Sequence, residues 1–135
     1  MGRGDPSHID LTVKSPEAAL NFYEAVLKFM GYVGGKSDDG SVGGWMKPGT
    51  GFNIALHEAR PEYADVEHNR YASGLHHLAF VAGSCEDVDK LHDLLVRIGA
   101  KVLDPPGEFY EGGYYAVFFA DPDGLKLEYV HLHPQ

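Results

Sequence analysis

One cysteine, Cys85, stands in the 135-residue chain, so no internal disulfide can form and a reducing compartment is expected. Basic residues are also scarce: 11 Lys and Arg face 20 Asp and Glu, a formal charge of −9 at pH 7. Sequence-independent binding of nucleic acid or anionic lipid needs a basic face, so neither partner is expected. No apolar run approaches the roughly 18 residues of a membrane span, and the opening Met1-Gly2-Arg3-Gly4-Asp5-Pro6-Ser7 has no signal-peptide core. Pro6 takes the place where a myristoylation signal wants Ser or Thr. A Ser- or Pro-rich linker, a low-complexity tract and a local ligand motif such as His-x-x-x-His are absent too. With 44% hydrophobic and 23% charged residues, the expectation is one cytoplasmic domain over 1–135, able to bury a core without covalent staples.

What the chain does contain is an internal repeat. His8-Ile9-Asp10-Leu11-Thr12-Val13 alternates polar and apolar residues, the period of a half-buried strand, and His77-Leu78-Ala79-Phe80-Val81 does so again from a second His. A helix is predicted after each. Ser15-Pro16-Glu17 supplies a cap, a first-turn proline and a carboxylate at the positive end of the dipole. Leu20, Tyr23, Leu27 and Met30 form a stripe that Gly31 stops; after the Ser84 cap, Val88, Leu91, Leu95 and Ile98 repeat those offsets up to Gly99. Three strand-like segments then follow in each half. They are Tyr32–Lys36, Ser41–Lys47 and Phe52–Glu58 in the first, and Lys101–Leu103, Tyr114–Ala120 and Leu125–His131 in the second. The predicted fold is therefore α+β, a βαβββ module present twice, with module one at about 6–58, a connecting loop at 59–74 and module two at about 75–133.

A helix covers one face of such a sheet, so the apolar alternates point to it. Period 2 then sends His8, Asp10 and Thr12, with His77, Ala79 and Val81, to the other face, and Glu128 joins them from the last strand once Leu127 and Tyr129 take the helix side. If the two open faces curl toward each other, His8, His77 and Glu128 converge on one concavity as a first shell for a divalent metal. Singly, either histidine reads as an ordinary polar residue at a strand start; the duplicated position is what favours ligation.

Several stretches carry a family resemblance: His8-Ile9-Asp10-Leu11-Thr12-Val13, Phe22-Tyr23, Gly74-Leu75-His76-His77-Leu78-Ala79-Phe80, and Phe119-Ala120-Asp121-Pro122-Asp123-Gly124-Leu125-Lys126-Leu127-Glu128. Over nearly its whole length the chain resembles the vicinal oxygen chelate superfamily, that of glyoxalase I, extradiol dioxygenases, methylmalonyl-CoA epimerase, and fosfomycin and bleomycin resistance proteins. The resemblance implies a curved mixed sheet around a metal-binding cavity, with ligands at His8, His77 and Glu128. The fourth family position falls on Ala55, where glyoxalase I and the epimerase look for Glu or Gln; this counts against both. Fosfomycin enzymes look for Thr where this chain has Asp10 and Tyr where it has Phe118, and extradiol dioxygenases are commonly about twice this length.

The resulting expectation is a divalent-metal enzyme, with Zn, Ni, Mn or Fe as Lewis acid on a small chelating oxygenated substrate, in glyoxalase-like lyase, isomerase or thiol-transfer chemistry. An Fe(II) extradiol-type dioxygenase is one alternative, and a metal-free binding protein of the bleomycin-resistance type is another. Asp10, His57 and Glu128 are the candidate catalytic groups; His57 reads either as a strand-end surface histidine or as a replacement for the ligand lost at Ala55. Asn53, Tyr114, Phe118 and Lys126 are candidate substrate contacts. Tyr110, Tyr114 and Tyr115 line or close the cavity unless they pack in the core, and Arg60 to Arg70 reads as a surface loop. A homodimer is expected, four modules being typical of relatives this short and open sheet edges favouring pairing.

Overall fold

The computed structural model describes residues 2–133. Strand β1 (His8–Val13) sorts its side chains as the alternation requires: Leu11 and Val13 are buried, while His8, Asp10 and Thr12 are exposed. Ser15 caps helix α1 (Pro16–Phe29), accepting the Ala18 N–H at 3.3 Å. Gly31 ends it with φ 90, a left-handed turn that lets the Tyr32 N–H reach back to the Leu27 carbonyl at 2.9 Å. Strands β2 (Val33–Lys36), β3 (Gly43–Met46) and β4 (Asn53–Glu58) complete a sheet of order β1-β4-β3-β2, with β1 parallel to β4 and the other pairs antiparallel.

The second half repeats this plan. Strand β5 (His77–Val81) leads to helix α2 (Cys85–Arg97), capped by Ser84 accepting the Asp87 N–H at 3.0 Å. Strands β6 (Lys101–Glu108), β7 (Tyr114–Ala120) and β8 (Lys126–Leu132) give a sheet of order β5-β8-β7-β6, again with its outer pair parallel. The α+β architecture of two βαβββ modules is present, each module carrying its own four-stranded mixed sheet. The chain divides between Val66 and Glu67 into two compact units, inside the exposed connecting stretch, where Pro61–Tyr63 forms a 3-10 turn.

Each unit buries its core between helix and sheet. Helix α1 contributes Ala19, Phe22, Tyr23, Val26 and Leu27, and its sheet contributes Leu11, Val13, Trp45, Ile54 and Leu56. Burying each large side chain stabilises the fold by roughly 1.5–3 kcal/mol. The Trp45 ring lies 6.3 Å from that of Tyr23 and donates Nε1–H to Glu24 at 2.9 Å. Lys28 first, then this indole, hold the Glu24 carboxyl below its ordinary pKa. Helix α2 buries Val88, Leu91 and Leu95, and Asp87 and Asp89 accept the hydroxyls of Tyr129 and Tyr115 at 2.6 Å each.

Three expectations need correction. The α1 stripe is wider than the four predicted residues and Leu20 sits at its margin, half-buried, because Ala19, Phe22 and Val26 share the inner face. Ile98, 39% exposed, lies past the end of α2 and outside its stripe. Strand β6 runs on through Pro105 and Pro106 instead of stopping at Leu103; it is a sheet edge, where a missing N–H breaks no ladder, and register shifts absorb the kinks. His131 and His133 are half-buried and stacked at 5.7 Å, with His131 Nδ1 at 3.3 Å from the Ala82 carbonyl and His133 Nε2 at 3.0 Å from Glu108.

Candidate functional site

The two sheets share one register, which identifies equivalent positions without reference to sequence identity. His8 pairs with Asn53 as His77 pairs with Lys126, and Asp10 pairs with Ala55 as Ala79 pairs with Glu128. Ala55 is thus the first module's counterpart of Glu128. Next along the sheet, Gly44 faces Ala55 where Phe118 faces Glu128. The first module has a hydrogen and a methyl group where the second has a phenyl ring and a carboxylate.

In the second unit, parallel pairing of β5 and β8 sets His77 and Glu128 diagonally across one face, and His77 Nε2 lies 3.2 Å from Glu128 Oε1. Glu128 is 1% exposed. A carboxylate so far from water needs partners on both oxygens, and it has them: the Tyr114 hydroxyl donates to Oε2. Desolvation first, and then this bond to a carboxylate, push the Tyr114 phenol above its ordinary pKa. The other imidazole nitrogen, His77 Nδ1, sits 2.8 Å from His76 Nδ1. Desolvation lowers the His76 pKa, assisted by the positive fields of His77, Lys126 and Arg70. Lys126 Nζ stands 4.7 Å over the Phe118 ring. Ala116, Phe118 and Val130 form an apolar cluster on this face, with Leu103, Phe109 and Tyr114 packed on it.

The first unit places His8 on its exposed strand start, with Nδ1 at 3.0 Å from Ser7 Oγ. Asp10 Oδ2 meets His57 Nε2 at 2.8 Å, each side chain about half exposed. Asn53 is exposed and spends its side-chain amide on the Gly51 carbonyl at 2.8 Å. Within neither unit do three His, Cys, Asp or Glu side chains gather as a metal site among the described residues. The structure therefore brings together His77 with Glu128, and Asp10 with His57. The sequence marks Tyr114 as a substrate contact and not as the partner of Glu128, although parity puts both on the same face, since 114 pairs with 132 and 118 with 128.

The His77–Glu128 pair suits a divalent ion. An imidazole nitrogen and a carboxylate oxygen are both donors that divalent ions take, and these two stand 3.2 Å apart on one face. Tyr114 occupies the second carboxylate oxygen and fixes its plane, as ligand carboxylates usually require.

Duplicated modules with mixed sheets, and a histidine and carboxylate paired on the open face of one, define a family. The chain belongs to the glyoxalase/bleomycin resistance protein/dioxygenase superfamily, whose family model matches residues 6–129. An uncharacterized Bacillus subtilis (strain 168) protein, YqjT, is 34% identical over 125 residues, 91% of this chain and 95% of that one. A crystal structure from Bacillus halodurans, whose glyoxalase assignment is itself provisional, superposes with a TM-score of 0.81 at 28% identity, covering 96% of both chains. A glyoxylase/bleomycin resistance protein/dioxygenase domain from Frankia sp. EAN1pec shares the fold, with a TM-score of 0.77 at 24% identity over 98% of this chain and 94% of that one. The superfamily includes enzymes, and its members often use divalent metals. Among the described residues no helix is long and apolar enough to cross a membrane.

Proposed function

We propose that the protein is a divalent-metal enzyme acting on a small oxygenated substrate, with His8, His77 and Glu128 as its protein ligands. The observation that carries this reading is the buried Glu128 carboxylate held between the His77 imidazole and the Tyr114 hydroxyl. A bound ion supplies Lewis acidity toward substrate oxygens. Tyr114 keeps Oε2 occupied, so Glu128 offers Oε1 alone, beside His77 Nε2. Asp10 accepts the His57 Nε2–H, which orients the ring and leaves Nδ1 free to take a proton from the substrate. Ala55 offers no donor, which supports a three-ligand set with positions open to substrate and weighs against the glyoxalase I and epimerase reactions.

The test is elemental analysis by plasma mass spectrometry of untagged protein beside a His8→Ala, His77→Ala, Glu128→Ala variant. Near-stoichiometric metal lost in the variant is the expected result. Iron then directs assays to catechols and oxygen uptake; zinc, nickel or manganese direct them to isomerase, lyase and thiol-transfer substrates. Protein that carries no metal and cannot be loaded overturns the reading in favour of metal-free ligand binding. Light scattering of the same sample tests the homodimer that we propose with it.

A further inference from the structure

The side chains around His77 and Glu128 have a composition that the metal reading does not use. Tyr110 stacks edge-on against Tyr114 at 4.9 Å between centroids while remaining 82% exposed. It is also the one described non-glycine residue with a positive φ, 60. A tyrosine pays a steric cost in that conformation, although Gly112 and Gly113 stand two and three residues away and turn without one. Strain retained at an exposed ring marks a position chosen for something other than folding. At the other end of the face, Tyr71 is 78% exposed and meets the His76 ring edge-on at 6.0 Å.

The charges here run against those of the whole chain. At −9 overall, the protein as a body attracts cations. Yet Lys126 lies over Phe118, Arg70 lies 4.9 Å from the Tyr71 ring centre, and neither makes a salt bridge among the described residues. Glu128, on the same face of the sheet, is engaged on both oxygens. Asp104 stands opposite Phe118 in the ladder without pairing to Lys126. Arg70 donates to the Tyr71 hydroxyl at 3.0 Å, which leaves Lys126 as the cation open to a ligand. Exposed rings at both ends and that lysine suit a flat apolar ligand carrying negative charge.

We infer that the open face of the second sheet binds a small aromatic carboxylate, its ring against Tyr110 and Tyr114 and its carboxylate at Lys126. This deepens the metal reading by naming the substrate class of the same face, and it rests on that reading only for which substrate oxygens react. Ring and charge selectivity are properties of the side chains and need no ion.

The probe is phenylacetate, titrated by calorimetry and followed by saturation-transfer NMR, against cyclohexylacetate (same charge, no aromatic ring) and 2-phenylethylamine (same ring, opposite charge). Protein is used both metal-loaded and chelator-treated, with its metal content measured. Phenylacetate is expected to bind at least about tenfold more tightly than either control in both forms. Lys126→Met and Tyr110→Asn are each expected to weaken it about fivefold or more; Asn tolerates the left-handed backbone at 110, and circular dichroism checks that both variants fold. Equal binding of cyclohexylacetate or the amine, or no binding of phenylacetate, overturns the inference. So does affinity lost with the metal but indifferent to Lys126→Met, since the carboxylate then sits on the ion. Selectivity that persists in protein unable to take up metal sustains the inference while the metal reading fails.

Discussion

Removing the Tyr114 hydroxyl probes the arrangement on which the site depends. Tyr114→Phe keeps the ring, and with it the stacking on Tyr110, but strips the donor from Glu128 Oε2. At 1% exposure Glu128 has no water to replace it. A hydrogen bond to a charged group is worth about 1.5–3 kcal/mol, and leaving a buried acceptor unmet costs in the same range. Tyr114 itself is half-buried, so the lower half of the range applies, about 2 kcal/mol. Urea denaturation in chelator should report that loss as a lower midpoint at unchanged slope. A double-mutant cycle with Glu128→Gln should assign at least about 1 kcal/mol of it to the pair. A loss below about 0.5 kcal/mol, or a coupling near zero, refutes the argument that Glu128 depends on Tyr114.

Three further outcomes are expected. A Cβ at Gly34, whose φ is 145, would stand 2.1 Å from the Gly44 carbonyl oxygen; Gly34→Ala should cost on the order of 3 kcal/mol in thermal or urea unfolding, and a neutral result would disprove the close approach of β2 to β3. Ser84→Ala removes the cap of α2 and should cost about 1 kcal/mol by the same assay. Tyr115 is pushed up to about 12, chiefly by its hydrogen bond to Asp89, while desolvation leads in raising Tyr114 and Tyr129. Folded pKa values above the unfolded one make the associated stability complete below about pH 10 and lost as pH rises through the folded values. Burial raises Tyr32 as well, so absorbance titration of the phenolates should show four late tyrosines. Tyr115→Phe should delete the step near 12; early, uniform ionisation would contradict these contacts.

Periodicity and punctuation in the chain were sufficient for much of this. Period-2 alternation assigned His8 and Asp10 to one face of β1 and His77 to the same face of β5, and the Ser15 and Ser84 caps with the Gly31 and Gly99 stops bounded both helices. These signals are local: a strand's parity and a cap's reach span only a few residues, so the sequence states them directly. The family resemblance put the fourth ligand position on Ala55, and the ladder registers make it the counterpart of Glu128. The passage of β6 through Pro105 and Pro106 was not legible, because proline is excluded from a central strand but not from an edge, and edges exist only once a sheet is assembled. Nor were the partners of the functional groups. Which atom of His57 meets Asp10, and whether the Tyr114 hydroxyl or water meets Glu128, depends on side chains 47 and 14 residues apart leaning across neighbouring strands. Parity decided which face each residue shares; only packing of the assembled sheet decided which partner it touches there, because hydrogen bonding is settled within a few tenths of an ångström and no pattern along a chain carries that precision.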